Sequence, residues 1–512
     1  MKLIKFSHFF VVTEIANNNE RDAVRGHCIP LVHRDNFRKP NGELVYGEAK
    51  KFFSFNVAKT ECRFHIHDLP NFLETCRVRN VPINTIEILD APMYEPSKIE
   101  FGLNPYYQPR ENQPVIIDFF DDPYPVIKLC EAEPGAGKTL TSLVSAQHCG
   151  VRIGLAIRPQ YIDNWIGAIF GTEEKEPITD MSRDRVLVII GSPELKKAIR
   201  RALHGDFDYD FIILSNATLF RMYRVYNEDG STVDSYGCEP WELQQILGIG
   251  TWQKDEGHLD FHAFFLLDLF THVPKGITLS GTFSSEHPFI RRMQLLQHPQ
   301  DKRAPIAAPK KFRHVIAVRY SINPQRELRY KLRGRTEYNH NQFEESILKD
   351  PRARKAYLDL IVSLVMEHYL NKRESKEQKG LILCGRVEMA EVIIQRLHEE
   401  WQEMTVARYV SGDSIIEACF SEVIVTTIIS GKAAIDVPNL IMALNTVNIG
   451  SKDSNLQALG RCRELRNTKV RPRFVYMYTD DISSASYYHQ NKIEIFRSRV
   501  FQHDVVDSGV VL

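Results

Sequence analysis

The chain has 512 residues, too many for one ordinary core, so two or three domains are expected. Hydrophobic content of 43% with 25% charged residues is that of a globular protein and excludes a disordered chain. Lys plus Arg and Asp plus Glu both number 65, so global charge says nothing about nucleic acid and any basic surface must be local. No apolar run approaches the roughly 20 residues that span a bilayer, so no membrane partner is expected. The opening MKLIKFSHFFVV has no small-residue cleavage site after it, which argues against a signal peptide. The cysteines are scattered without any CxxC, as in a reducing cytoplasm.

Residues 1–95 read as a small α+β accessory domain that either binds nucleic acid or packs. LIKFSHFFVV, KKFFSFNVA and CRFHIH are strand-like by their aromatic and β-branched content. DLPNFLETCRVRNV reads as a short helix capped by Asp68. Cys62, His65 and His67 are spaced closely enough to suggest a metal, but Arg63 to His67 alternates as a strand does, and no second ligand cluster accompanies it. From 96 the texture changes. PVIIDFF reads as a helix with Gln113 at its start, and Gln113 or Gln108 could pair with adenine because one amide offers both donor and acceptor.

VIKLCEAEPGAGKTLTSLVSAQ follows, a buried strand, a glycine-bearing loop and a helix start. Gly135 and Gly137 allow a tight turn that aims N–H groups inward, with Ala136 between them. The helix presents its positive end, Lys138 can reach β- and γ-phosphates, and the Thr139 hydroxyl can ligate Mg²⁺. That is the chemistry of a nucleoside triphosphate cradle. Beyond it VRIGLAIRP, DRVLVIIGS, DFIILSN and KGITLSG alternate with helical stretches, the pattern of a parallel sheet in an α/β unit over 96–298. Residues 299–320 are rich in Pro and Lys/Arg, as a linker is. KGLILCGR, TVARYVSG, EVIVTTI, NLIMALNT and RPRFVYMYT make a second α/β unit over 299–512, and YYHQNKIEIFRSRVFQ reads as a terminal amphipathic helix. In the first unit Asp255 and Glu256 stand together after a strand. One can hold Mg²⁺ through water while the other orients the attacking water.

Taken in order, these motifs resemble those of superfamily 2 helicases and translocases. Ala132 to Thr139 resembles motif I in its AxxGxGKT form, Asp255-Glu256-Gly257-His258 the DExH motif II, and Ser280-Gly281-Thr282 motif III. Gln457-Ala458-Leu459-Gly460-Arg461-Cys462-Arg463 is similar to motif VI. Leu155–Trp165, Ser215–Phe220, Leu381–Ile393 and Val425–Leu440 resemble motifs Ia, Ib, IV and V. Within that superfamily the chain resembles phage recombination helicases of the UvsW type, which also carry a small α+β domain before the motor. Two departures stand out: Ala434 replaces the glycine expected before Ile-Asp of motif V, and Glu464 leaves the second motif VI arginine at Arg463.

The resemblance implies an α/β fold of two tandem RecA-like P-loop domains preceded by the α+β domain. It implies an ATP hydrolase acting as a DNA helicase or translocase on branched, forked or duplex DNA in recombination, repair or replication. An RNA or RNA–DNA hybrid helicase is the alternative, and a non-motor annealing or scaffold protein the alternative from another class. Glu256, Arg461 and Arg463 would be catalytic. Gln113, Gly135, Ala136, Gly137, Lys138, Thr139 and Asp436 would bind ATP, with Mg²⁺ on Thr139 and Asp255. His258, Ser280, Thr282 and Gln457 would couple hydrolysis to the strand, and Arg158, Thr218, Arg386 and Thr427 would touch it. The expected protein is cytoplasmic (in the host cytoplasm if phage-encoded), monomeric or loosely associated, with recombination or single-strand-binding proteins as partners.

Overall fold

The computed structural model describes the chain except for residues 39–43, 57, 59, 111, 134, 173–174, 282, 286, 306–310, 332–337, 411–412, 429, 431–436 and 466–467, and the side chains of 35–38, 44–45, 415–416 and 453. The chain divides into two compact units, Met1–Ala307 and Ala308–Leu512.

The first unit opens with β1 (Lys2–Lys5), β2 (Phe9–Thr13), β3 (Val32–Arg38), β4 (Leu44–Lys51), β5 (Ser54–Phe55), β6 (Cys62–His65) and β7 (Glu87–Asp90). Five of these form a sheet in the order β5-β6-β2-β1-β7, and β3 and β4 pair separately as an antiparallel ribbon. Helix Asn18–Cys28 starts at a reciprocal cap: Asn17 accepts from Glu20 N, and the Glu20 carboxylate accepts from Ala16 N at 2.7 Å. Helix Leu69–Val78 lacks the expected side-chain cap. Asp68 instead accepts from Asn71 at 2.9 Å and pairs with His27 at 2.8 Å, because a buried carboxylate gains more from a buried ring than from one amide. Cys62 and His65 lie on β6, and among the described residues no group of three or more His, Cys, Asp or Glu is arranged to hold a metal.

A six-stranded parallel sheet follows, built from β8 (Ile127–Glu131), β9 (Ile153–Ile157), β10 (Val186–Ile189), β11 (Phe211–Ser215), β12 (Thr251–Lys254) and β13 (Lys275–Ser280), in the order β10-β11-β9-β12-β13-β8. β9 and β11 are buried along their whole length, as strands covered on both faces must be. One face packs on helices Gln113–Asp121, Lys138–Cys149 and Ile162–Phe170. The other face shares a single core with residues 1–95. Phe52 meets Phe265 with ring centroids 5.0 Å apart, and the Arg63 guanidinium lies 4.5 Å from the Trp241 ring. Ser7 N donates to His272 Nδ1 at 3.1 Å, and Ser54 Oγ to Asn227 Oδ1 at 3.0 Å. Residues 1–95 are therefore welded to the parallel sheet by aromatic packing and buried hydrogen bonds.

The second unit is one seven-stranded sheet made of β14 (His314–Ser321), β15 (Lys379–Cys384), β16 (Val406–Tyr409), β17 (Val423–Thr427), β18 (Leu440–Asn445), β19 (Arg473–Tyr478) and β20 (Gln502–Val511). The order is β16-β17-β15-β18-β19-β14-β20, and every pairing is parallel. Two elements correct the sequence reading. β14 lies in the interior of this sheet, although residues 314–320 of it fall in the stretch read as a linker. The expected terminal helix ends at Phe496 and is followed by β20, which adds to β14.

Candidate nucleotide-binding site

The described site residues of the first unit sit at or just beyond the carboxyl ends of its parallel strands, apart from Gln113. This is where α/β sheets bind ligands. The loop 132–137 leaves β8 and ends at helix Lys138–Cys149. Gly135 and Gly137 take φ of +83° and +87°, which residues with a Cβ rarely adopt. Ala132 N donates to Ser280 O at 3.0 Å, joining the loop to the end of β13. Ala136 N donates to Glu133 O at 3.0 Å, and Lys138 Nζ crosses the loop to Ala132 O at 2.9 Å. Gln113 is buried against this loop. Its Nε2 donates to Ala136 O at 2.8 Å and its Oε1 accepts from Arg110 N at 2.8 Å. One amide hydrogen and one lone pair remain for a base edge. Gln108 is exposed and bonds Pro105 O at 2.9 Å, away from the loop.

Asp255 and Glu256 follow β12. Asp255 N donates to Ala156 O at 3.1 Å, fixing the strand end against β9. Its Oδ2 accepts the Trp165 indole N–H at 2.7 Å and its Oδ1 accepts Glu256 N at 2.9 Å. Burial, then the neighbouring Glu256 carboxylate, push Asp255 up to about 6, while the Trp165 hydrogen bond and the Lys138 ammonium oppose the rise. Glu256 takes φ +50°, an uncommon backbone for a residue with a side chain. His258 Nδ1 lies 2.8 Å from Ser280 Oγ and 3.3 Å from Glu256 Oε2, which links the carboxylate turn to β13. Thr282 lies outside the described residues.

A nucleoside triphosphate with Mg²⁺ fits these groups. Turn glycines and a helix start make the anion cradle, and a space that a Cβ at Gly137 would fill keeps the loop close to Gln113. One carboxylate and one hydroxyl, Asp255 and Thr139, suit an ion that keeps waters and phosphates as its remaining ligands.

The residues expected to touch a nucleic-acid strand are each engaged within their own unit. Arg158, after β9, makes a bidentate pair with Asp260 at 2.6 Å and reaches Leu259 O at 3.1 Å. The buried Thr218 Oγ1 accepts from Gly191 N at 2.7 Å. In the second unit Arg386, after β15, lies 3.2 Å from Glu388 and 3.6 Å from Glu345. Thr427, ending β17, bonds Ser430 Oγ at 3.1 Å.

Gln457 is on helix Lys452–Gly460, which starts at a Ser451 cap. Arg461 and Arg463 follow it and are half-buried, with the wholly buried Cys462 between them. The Cys462 carbonyl accepts from Arg313 Nε at 2.7 Å, so an inward residue pins the turn that carries both arginines. Asp436 and Ala434 lie outside the described residues. Three contacts had no sequence signal: Trp165 on Asp255, Gln253 on Ser142 of the loop helix at 3.2 Å, and the buried pair Lys254–Asp268 behind the carboxylates.

The architecture defines a fold class: two parallel-sheet α/β domains of the tandem RecA-like kind, following a small α+β region. Among solved structures, a point variant of S. cerevisiae Dbp5 bound to RNA and ADP BeF3 is similar over 79% of this chain and 94% of that chain, with 12% identity and a TM-score of 0.50. Dbp5 with the same ligands gives the same coverage and identity at a TM-score of 0.49. A fragment of a putative HsdR subunit of a type I restriction enzyme from Vibrio vulnificus covers 80% of this chain and 71% of that chain, with 15% identity and a TM-score of 0.47. The first likeness carries the fold assignment, and at its identity it concerns the fold alone. No family model matches the sequence, and no curated protein does.

Proposed function

We propose that the chain is an ATP-dependent DNA helicase or translocase acting on branched, forked or duplex DNA. The observation that carries this reading is the meeting of the phosphate loop with the Asp255–Glu256 turn at one end of a parallel sheet, where Ser280 joins both: its carbonyl accepts from Ala132 N at 3.0 Å and its hydroxyl lies 2.8 Å from His258 Nδ1. Lys138 and the loop amides hold the phosphates, Gln113 and Asp436 complete the ATP contacts, and Thr139 and Asp255 hold Mg²⁺. Bound Mg²⁺ supplies neutralising charge to the β- and γ-phosphate oxygens. Glu256 orients the attacking water, and Arg461 and Arg463 offset charge that develops on the γ-phosphoryl group. His258, Ser280, Thr282 and Gln457 pass the state of the nucleotide to the strand-binding segments. Arg158, Thr218, Arg386 and Thr427 anchor those segments and offer phosphate contacts that weaken with salt. A second reading, an RNA-directed motor of the same design, is favoured by one observation: Dbp5, alike in fold, is bound to RNA.

The test is ATP hydrolysis and strand separation on a panel of single strand, duplex, fork, four-way junction, D-loop, RNA and RNA–DNA hybrid. Branched DNA should stimulate hydrolysis most. Lys138→Ala and Glu256→Gln should abolish it, and Arg461→Ala should lower the rate by about 10³-fold. Equal rates on every nucleic acid and on none would sink the motor reading. Stimulation by RNA alone would establish the second.

A further inference from the structure

Trp165 sits in helix Ile162–Phe170, is 1% exposed, and packs against Phe211 at the start of β11 with ring centroids 6.0 Å apart. A buried indole N–H needs an acceptor, and the one it finds is Asp255 Oδ2 at 2.7 Å. The other carboxylate oxygen accepts Glu256 N at 2.9 Å. Each oxygen thus takes one donor from the protein. The plane of the carboxylate is fixed, and each oxygen keeps lone-pair capacity on its remaining side.

An indole suits this task. It is uncharged, so it does not compete with a cation for the carboxylate as a lysine or arginine would. It is packed, so it cannot swing away. The segment leading into its helix is also tied to the same turn a few residues on, through Arg158 on Asp260 and on Leu259 O. The segment 158–165 therefore grips the 255–260 turn at both ends.

We propose that Trp165 is a positioning residue: its indole N–H sets the orientation of the Asp255 carboxylate and so the strength with which Mg²⁺–nucleotide is held. The inference rests on the nucleotide reading above.

The test compares full-length wild type, Trp165→Phe, which keeps a ring and loses the donor, and Trp165→His, which restores an N–H. Calorimetry measures ATPγS binding across a Mg²⁺ titration and again in EDTA, with melting temperature recorded alongside. We expect Trp165→Phe to need about tenfold more Mg²⁺, the usual loss when a residue supporting a metal ligand is removed. Affinity in EDTA should stay at the wild-type value, and Trp165→His should recover part of the loss. An unchanged Mg²⁺ requirement, or a loss equally large in EDTA, overturns the inference.

A second measurement needs no variant. In wild-type protein labelled with 5-fluorotryptophan, one of the 4 tryptophan resonances should move when Mg²⁺ is added to the ATPγS complex, and no movement overturns the inference. Wild type that binds no ATPγS under any condition overturns the nucleotide site itself, a result distinct from wild type and Trp165→Phe binding alike.

Discussion

At Gly137 two constraints coincide. The backbone takes φ +87°, and a Cβ built there would lie 2.1 Å from Gln113 Nε2. Gly509 takes φ +66° with nothing within 4 Å of such a Cβ. Gly509→Ala should therefore show the backbone cost alone, roughly 1–2 kcal/mol. Gly137→Ala should show that cost plus displacement of Gln113 from the loop. We predict that Gly137→Ala weakens ATPγS binding by at least about tenfold, a ~1.4 kcal/mol effect by calorimetry, while Gly509→Ala leaves it unchanged. The loop was legible in the sequence because its chemistry is local: glycines, lysine and threonine are contiguous and the turn needs no distant partner. Gln113 was preferred to Gln108 only through the family resemblance, because the buried contact with the loop exists only in the folded chain. Trp165 was invisible for the same reason, since its partner lies in the turn after β12, 90 residues on.

At the scale of one element, β12 divides its side chains between two environments. Gln253 faces the loop helix through Ser142, and the next residue, Lys254, points to the opposite face. There its ammonium meets Asp268 Oδ1 at 2.5 Å, with both side chains at most 1% exposed. Gln297 donates to the other oxygen of Asp268 at 2.5 Å, and His65 Nε2 of the α+β region lies 3.7 Å from it. Removing the carboxylate leaves a buried cation without its counter-charge. Asp268→Ala should cost about 3–5 kcal/mol in urea unfolding, and Lys254→Met with Asp268→Leu should recover most of it. The alternation of the α/β strands was readable, as buried apolar runs between helical stretches. β14 was masked by the Pro- and Lys-rich run before it. The polar residues of β20, HDVVDSGVV, hide an edge strand, which needs no apolar face of its own.

Over the whole molecule, burial sets the response to pH. It holds His8 and His298 well below the ordinary imidazole range and brings His67 and His489 down to about 4. The unfolded chain binds more protons than the native one between 4 and 6.5, so stability falls as pH drops through that window. Burial also lowers Lys492 to about 7 and Lys128 to about 8, so stability keeps rising above neutrality, where the native lysines have released protons that the unfolded ones still hold. Asp255, raised to about 6, works the other way in the acid range, and the buried Cys76 and Cys130, raised to about 11, reverse the trend at high pH. Thermal stability should peak at roughly pH 8–9, on the alkaline side of the sequence pI. Lys492→Met should flatten the rise above pH 7, and a maximum at or below pH 6 would contradict this balance.

The core shared by residues 1–95 and the parallel sheet also orders events in time. Ser7 must find His272, 265 residues later in the chain. At a synthesis rate of about 5–20 residues per second, that interval is roughly 15–50 s. For most of it Phe52, which packs on Phe261, Phe265 and Phe289 in the finished unit, lacks its covering rings. The α+β region is thus a nascent-chain hazard before it is part of the finished unit. Its dependence on holding chaperones should end when residues near 270–297 emerge.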